Sequence, residues 1–182
     1  MRNVGFGKPT YKRITMLFQT SRLQVRLLRS SDLIPYQELQ CNPNVLKYTG
    51  ATAGTTKEAE KGLARLIDLY PKPDNTFWIW AIVQKENDSF VGTCAIIIEE
   101  KGRAEIGYRF LEKHWGNGYA SEIVEPLINH GFSKMNLKTI FATVDVLNVP
   151  SVKILEKSQL HFIKEEWSEE YQSSDRYYEK TI

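Results

Sequence analysis

Between residues 104 and 146 the chain runs from a strand-like segment, Ala104 to Leu111, through the loop Glu112-Lys113-His114-Trp115-Gly116-Asn117-Gly118 into a long amphipathic stretch. There Ala120, Ile123, Val124, Leu127, Ile128, Phe132 and Met135 recur every three or four residues, which predicts a helix with one apolar face. Thr139 to Val146 is β-branched and apolar and predicts another strand. A strand–helix–strand unit of this length returns its second strand parallel to the first, so the chain must build an α/β sheet with at least one parallel pair.

The junction at residues 114–120 also predicts a chemistry. A strand that empties through a glycine-spaced loop into a helix offers free N–H groups, backed by the helix dipole, to an anion. The spacing is not that of a dinucleotide fingerprint, and no Gly-Lys-Ser/Thr ending marks a nucleoside-triphosphate loop. A pyrophosphate held by backbone alone remains; the plainer alternative is a tight strand-to-helix turn.

The rest of the chain fits around this unit. Leu23, Val25 and Leu27 alternate with Arg22, Gln24 and Arg26, the pattern of a half-buried strand with its polar residues outward. Ser30-Ser31-Asp32 can cap a helix that ends before Asn42-Pro43, and a second helix follows Thr55-Thr56 and stops at Pro71. Phe77 to Gln84 and Ser89 to Ile98 flank the polar turn at Lys85 to Asp88 and predict a hairpin, to which the Ala104–Leu111 strand adds a third antiparallel member. A short helix at Ser151 to Lys157 and two final strands complete the order β-α-α-β-β-β-α-β-α-β-β. Residues 1–19 read as an N-terminal extension, and 20–182 as one domain.

Length and composition limit the functions such a chain can have. With 182 residues, 42% of them hydrophobic, one core is expected. Lys plus Arg total 24 against 22 acids, too even for a dedicated nucleic-acid binder. Cys41 and Cys94 form no metal-ligand or disulfide pattern, and His114, His130 and His161 lack a ligand spacing, so no metal site and a reducing, cytoplasmic setting are expected. No run is long and apolar enough for a membrane helix.

Trp115-Gly116-Asn117-Gly118-Tyr119-Ala120 resembles the R/Q-x-x-G-x-G/A pyrophosphate loop of the GNAT superfamily of acyl-CoA-dependent N-acetyltransferases, with Trp115 in the Arg/Gln slot. Thr20 to Arg26 with Ser31-Asp32, Asn42-Pro43-Asn44-Val45, the segments beginning at Phe77 and Phe90, residues 104–110, and Asn148-x-x-Ser151 are similar, in order, to the branch that acetylates ribosomal-protein N-termini. The resemblance covers residues 20–167. It implies an α+β fold: a splayed, mostly antiparallel sheet flanked by helices, with acetyl-CoA between the diverging strands 104–111 and 139–146. The pantetheine would pair with backbone near Phe110 and Leu111. The pyrophosphate would sit on the amides from Gly116 to Ala120, and Asn148 would reach the cofactor from the next strand's end. The implied acceptor is a primary amine, either a protein N-terminus or a small molecule.

Three departures from the family pattern bear on chemistry and local geometry. The slot of the frequent tyrosine acid holds Leu155, which leaves Ser151 as the nearest hydroxyl for the departing thiolate, or else a first-turn serine of the short helix. Gln159 stands where glycine is usual, and a left-handed backbone there would cost about 1 kcal/mol. Pro126 removes a helical hydrogen bond and predicts a kink. Glu105 is the candidate base for the amine, against a solvated acid beside Arg103. Tyr171, Tyr177 and Tyr178 either frame the acceptor's way in or are simply strand aromatics. A catalytically silent acyl-CoA-binding module is the second functional reading.

Overall fold

A computed structural model of the protein describes residues 16–169 and 172–182; residues 1–15, most of the expected extension, and Tyr171 lie outside them. The elements are β1 (Met16–Gln19), β2 (Leu23–Leu27), α1 (Leu33–Cys41), α2 (Pro43–Leu46), α3 (Thr56–Leu69), β3 (Phe77–Gln84), β4 (Phe90–Glu100), β5 (Arg103–Phe110), α4 (Tyr119–Lys134), β6 (Thr139–Asp145), α5 (Val149–Glu156), β7 (His161–Ser168) and β8 (Ser173–Thr181).

Among the described residues eight strands form one sheet, ordered β1-β2-β3-β4-β5-β6-β8-β7. β5 and β6 run parallel, as the crossover requires, and the other neighbours are antiparallel. β1 was not anticipated: Met16–Gln19 pairs with β2, so the end of the expected extension belongs to the sheet.

Helices cover both faces. α4 lays Ile123, Leu127 and Ile128 over Ile96, Ile106 and Ile140 on one face. α1 and α3 lay Leu39, Leu63 and Leu66 over Ala81 and Val83 on the other. α3 begins with a reciprocal cap: the Thr55 hydroxyl accepts from the Glu58 amide, and the Glu58 carboxylate from the Thr55 amide.

One local expectation is corrected, and two further positions have their setting in the structure. Arg26, expected outward, is 2% exposed. Asp32 explains this: its carboxylate meets the Arg26 guanidinium through two bonds of 2.8 and 2.9 Å, so Asp32 is a buried ion-pair partner more than a helix cap. Gln159 is not left-handed; positive φ among non-glycine residues occurs at Asp88, Asn136 and Gln172. Its amide and side chain are held by Glu125 at 2.8 and 2.7 Å instead. Pro126, where a kink is expected, lies inside α4, which runs through it to Lys134.

The feature that positions the site is the short reach of the parallel pairing. β5 and β6 pair only at Arg103–Thr139, Ala104–Ile140 and Glu105–Phe141. Beyond Glu105 the two strands separate, β5 held by β4 and β6 by β8. The sheet therefore forks. Alternation along β5 turns Ala104, Ile106 and Tyr108 toward the α4 face, and Glu105, Gly107 and Arg109 toward the α1–α3 face.

Candidate functional site

A cavity of about 1010 Å³ opens at the fork. Tyr108, Asn148 and Ser151 line it from the α4–α5 side; Glu105, Arg109 and Tyr36 line it from the α1–α3 side. One space thus connects the two faces of the sheet.

At the open end of β5 the loop is held by its own residues. The Trp115 indole N–H donates to the Phe110 carbonyl at 2.9 Å, and the Asn117 side chain donates to the carbonyls of His114 and Trp115 at 3.1 and 3.2 Å. Gly116 and Gly118 have φ of 75° and 74°, which only glycine adopts without strain. Gly118 is the N-cap of α4. A Cβ at Gly116 would meet nothing within 4 Å, so the cradle is open to a bulky group. Ala120 is half-buried, whereas Tyr119 is buried and its hydroxyl accepts from Gln84 at 2.9 Å. These features suit a pyrophosphate bound by backbone amides at a helix start.

Arg22 belongs to this loop although it lies far away in sequence. Its guanidinium stacks 4.8 Å from the Tyr119 ring centre and stands 3.7 Å from where a Gly118 Cβ would be. Glu122, in the first turn of α4, binds the Arg22 amide and side chain at 2.8 and 2.7 Å, and Ser21 and Thr20 as well. Burial alone would raise the Glu122 carboxyl, but these donors overcome it and hold the pKa at about 2.

The backbone edge facing the fork lies one residue earlier than expected. The Leu111 amide donates to Val91 at 2.9 Å, so Leu111 faces β4. By alternation the backbone groups of Tyr108 and Phe110 face the fork. The Phe110 carbonyl is taken by Trp115, leaving its amide and both groups of Tyr108 on that edge.

Across the fork Asn148 caps α5, its Oδ1 accepting from the Ser151 amide at 3.4 Å. Ser151 is therefore a first-turn residue beside the Tyr108 phenol. That phenol is buried without a hydrogen bond of good geometry, and burial raises its pKa while the neighbouring Ser151 lowers it. Leu155 lies buried below.

Glu105 stands at the root of the fork, half-buried and inside the sheet, not at an exposed edge. Burial pushes its carboxyl above the ordinary carboxylate range; Thr143, across the fork, draws it partly back. Asp145 and Asp175, a cross-strand pair on β6 and β8, line the same cavity. Burial and the Asp145 charge both raise Asp175. Tyr177 stacks on Phe141 at 5.1 Å on this face, whereas Tyr178 is a core residue.

The family follows from comparison with known proteins. Residues 22–161 match the model of an acetyltransferase (GNAT) domain. The chain belongs to the GNAT acetyltransferase family. It is 37% identical over 159 residues to an uncharacterized N-acetyltransferase, p20, of Bacillus licheniformis, covering 85% of this chain and 86% of p20. Among solved structures it is similar to RimL, a ribosomal L7/L12 alpha-N-protein acetyltransferase in complex with coenzyme A (TM-score 0.77, 16% identity, 92% of this chain and 98% of that one). It is similar to the same degree to a spermidine N-acetyltransferase of Vibrio cholerae in complex with CoA and spermine (TM-score 0.78, 20% identity, 88% and 96%). As a GNAT protein it is an N-acetyltransferase, and acetyl-CoA is the donor that the fold takes. No helix among the described residues is long and apolar enough to cross a membrane.

Sequence reasoning missed three residues that this GNAT site brings together: Arg22, Tyr108 and Arg109. Arg22 reaches the loop through Glu122 and Tyr119, far away in sequence, which no local pattern reports. Tyr108 and Arg109 were visible in the strand at 104–111, and period-2 alternation already puts them on opposite faces.

Proposed function

We propose that the protein transfers the acetyl group of acetyl-CoA to a primary amine, a peptide N-terminus or a small-molecule amine, that approaches from the α1–α3 face. The observation that carries this reading is the three-residue parallel pairing of β5 and β6 with Glu105 at its end. The free edge of β5 at Tyr108 and Phe110 can pair with the pantetheine amides as an added strand would. The amides of Gly116 to Ala120 can take the pyrophosphate, with Trp115, Asn117 and Tyr119 fixing the loop and Arg22 beside it. Asn148 caps α5 beside the same space.

In this reading the amine attacks the thioester carbonyl directly: a C–N bond forms, the C–S bond breaks and CoA leaves as a thiolate. Glu105 takes the amine proton, directly or through one water, its raised pKa bringing it nearer to neutral pH than an ordinary carboxylate. A proton returns to the thiolate from the Ser151–Tyr108 hydroxyl pair, or from solvent. Cys94 gives no rival covalent route, because burial pushes its thiol up and keeps it protonated.

The test is release of free CoA thiol with a panel of peptides bearing free N-termini, lysine peptides and small amines. Turnover of any of them supports catalysis. CoA binding without turnover of any amine would favour a silent binding module.

A further inference from the structure

The acceptor half of the cavity has an unbalanced charge. Arg109 projects from β5 toward α1, more than half-buried, beside Tyr36 and Gln40. Its polar contact among the described residues is one long bond, 3.4 Å, to Gln40 Oε1, and no carboxylate pairs with it. Burial lowers its pKa and Tyr36 opposes that, a sign that the surroundings do not compensate the charge. A buried guanidinium without an anion is costly, and an anion that pairs with it through charged hydrogen bonds relieves that cost. Arg65 of α3 and Lys47, after α2, line the same end of the cavity. The acids Glu105, Asp145 and Asp175 line the fork end.

From this polarity we infer that the acceptor carries a negatively charged group, bound by Arg109, in addition to the amine that meets the thioester at Glu105. The inference rests on the function proposed above. Geometry also limits the acceptor's shape. Glu105 and Arg109 lie on the same face of one strand, four residues and about 13 Å apart at their Cα atoms. An α-amino acid, whose two charges adjoin, cannot meet both ends; the amine and the anion must be several bonds apart. A peptide N-terminus with an acidic residue shortly after it has this form, as does a small ω-amino acid. A polyamine places its second cation against Arg109 and is disfavoured.

Two series separate these sources. In one, tetrapeptide amides with free N-termini differ only at the third residue, which is aspartate, asparagine or lysine. In the other, the acceptors are 6-aminohexanoate, its amide and 1,6-diaminohexane. The wild-type protein is expected to rank anion over neutral over cation in kcat/KM, mainly through KM, in whichever series matches the natural acceptor. Charged hydrogen bonds of this kind are worth about 10- to 100-fold. In Arg109→Met the anion-to-neutral ratio should fall by about that factor, and Arg109→Lys should restore part of it. Equal turnover across the charges, or a preference that survives Arg109→Met, overturns the inference and leaves the acetyltransferase reading standing. Preference for the cation overturns it, in favour of a basic peptide in the first series or a polyamine in the second. No turnover in either series overturns the acceptor reading and this inference together. The wild-type ranking decides even if the Arg109 variants fold poorly.

Discussion

Glu105 of β5 stands opposite Phe141 of β6 at the last position where those strands pair. Up to that position the backbone satisfies itself across the parallel pair. Past it, the fork exposes one edge of β5, and the last paired residue itself turns a carboxylate toward the acceptor face. In the proposed reaction, the place where the sheet stops pairing is where the thioester, the amine and Glu105 would meet.

Glu105→Gln should lower kcat/KM at neutral pH by about 100-fold or more, within the range of general base catalysis. The loss should shrink as pH rises toward the amine's own ionisation, about 7.7–8.0 for an α-amine. Stability should move the other way. The folded pKa of Glu105 lies above its unfolded value, so deprotonation favours the unfolded chain and stability falls as pH rises through that range. The Gln variant should therefore melt at the same or a higher temperature at pH 7. Superimposable pH–rate profiles for the two proteins would reduce Glu105 to a structural acid.

Ser151→Ala and Tyr108→Phe test which hydroxyl serves the thiolate. The donor's interaction strengthens in the transition state, so its loss should lower kcat by more than it raises the KM for acetyl-CoA. Asn148→Ala should mainly weaken cofactor binding and α5, because it removes the cap on the Ser151 amide. If both hydroxyl variants keep full kcat with normal melting, solvent supplies the proton.

The local grammar of the chain was legible. The strand–loop–helix–strand unit, the hairpin, the end of α1 and both ends of α3 follow from period, proline and capping residues. What could not be read from local pattern depends on partners distant in sequence. Arg26 looked like an outward residue because its buried partner, Asp32, lies beyond the strand and reads as a cap. Met16–Gln19 carried no turn signal and is a strand only because β2 offers it an edge. At the candidate site, the glycine loop and Glu105 stand out in the sequence as candidates, whereas Arg22 beside Gly118 and Tyr108 beside Ser151 are juxtapositions made by the fold.

Gly118→Val should impair CoA binding. The backbone there has φ of 74°, and a branched side chain would be strained while crowding Arg22 and the approach to the first amides of α4. Calorimetric titration with CoA should show at least a tenfold weaker affinity, about 1.4 kcal/mol. Unchanged affinity in a folded variant would remove this loop from the cofactor site.

Glu122 ties the loop at residues 114–120 to stability. It gathers Thr20, Ser21 and Arg22 onto the first turn of α4, where a carboxylate is also favoured by the helix dipole. Its folded pKa of about 2 lies below the ordinary 4.5, so the folded state binds fewer protons than the unfolded one in the interval between them. The resulting stability is complete above pH 4.5 and is lost as pH falls through that interval toward 2. Glu122→Gln should therefore melt below the wild type at pH 7, and the difference should narrow steadily on acidification below pH 4.5. Because Glu122 also holds Arg22 beside Gly118, the same variant should weaken CoA binding at neutral pH. A melting difference that is constant from pH 7 to pH 3 would mean that the carboxylate's charge contributes nothing to holding this corner together.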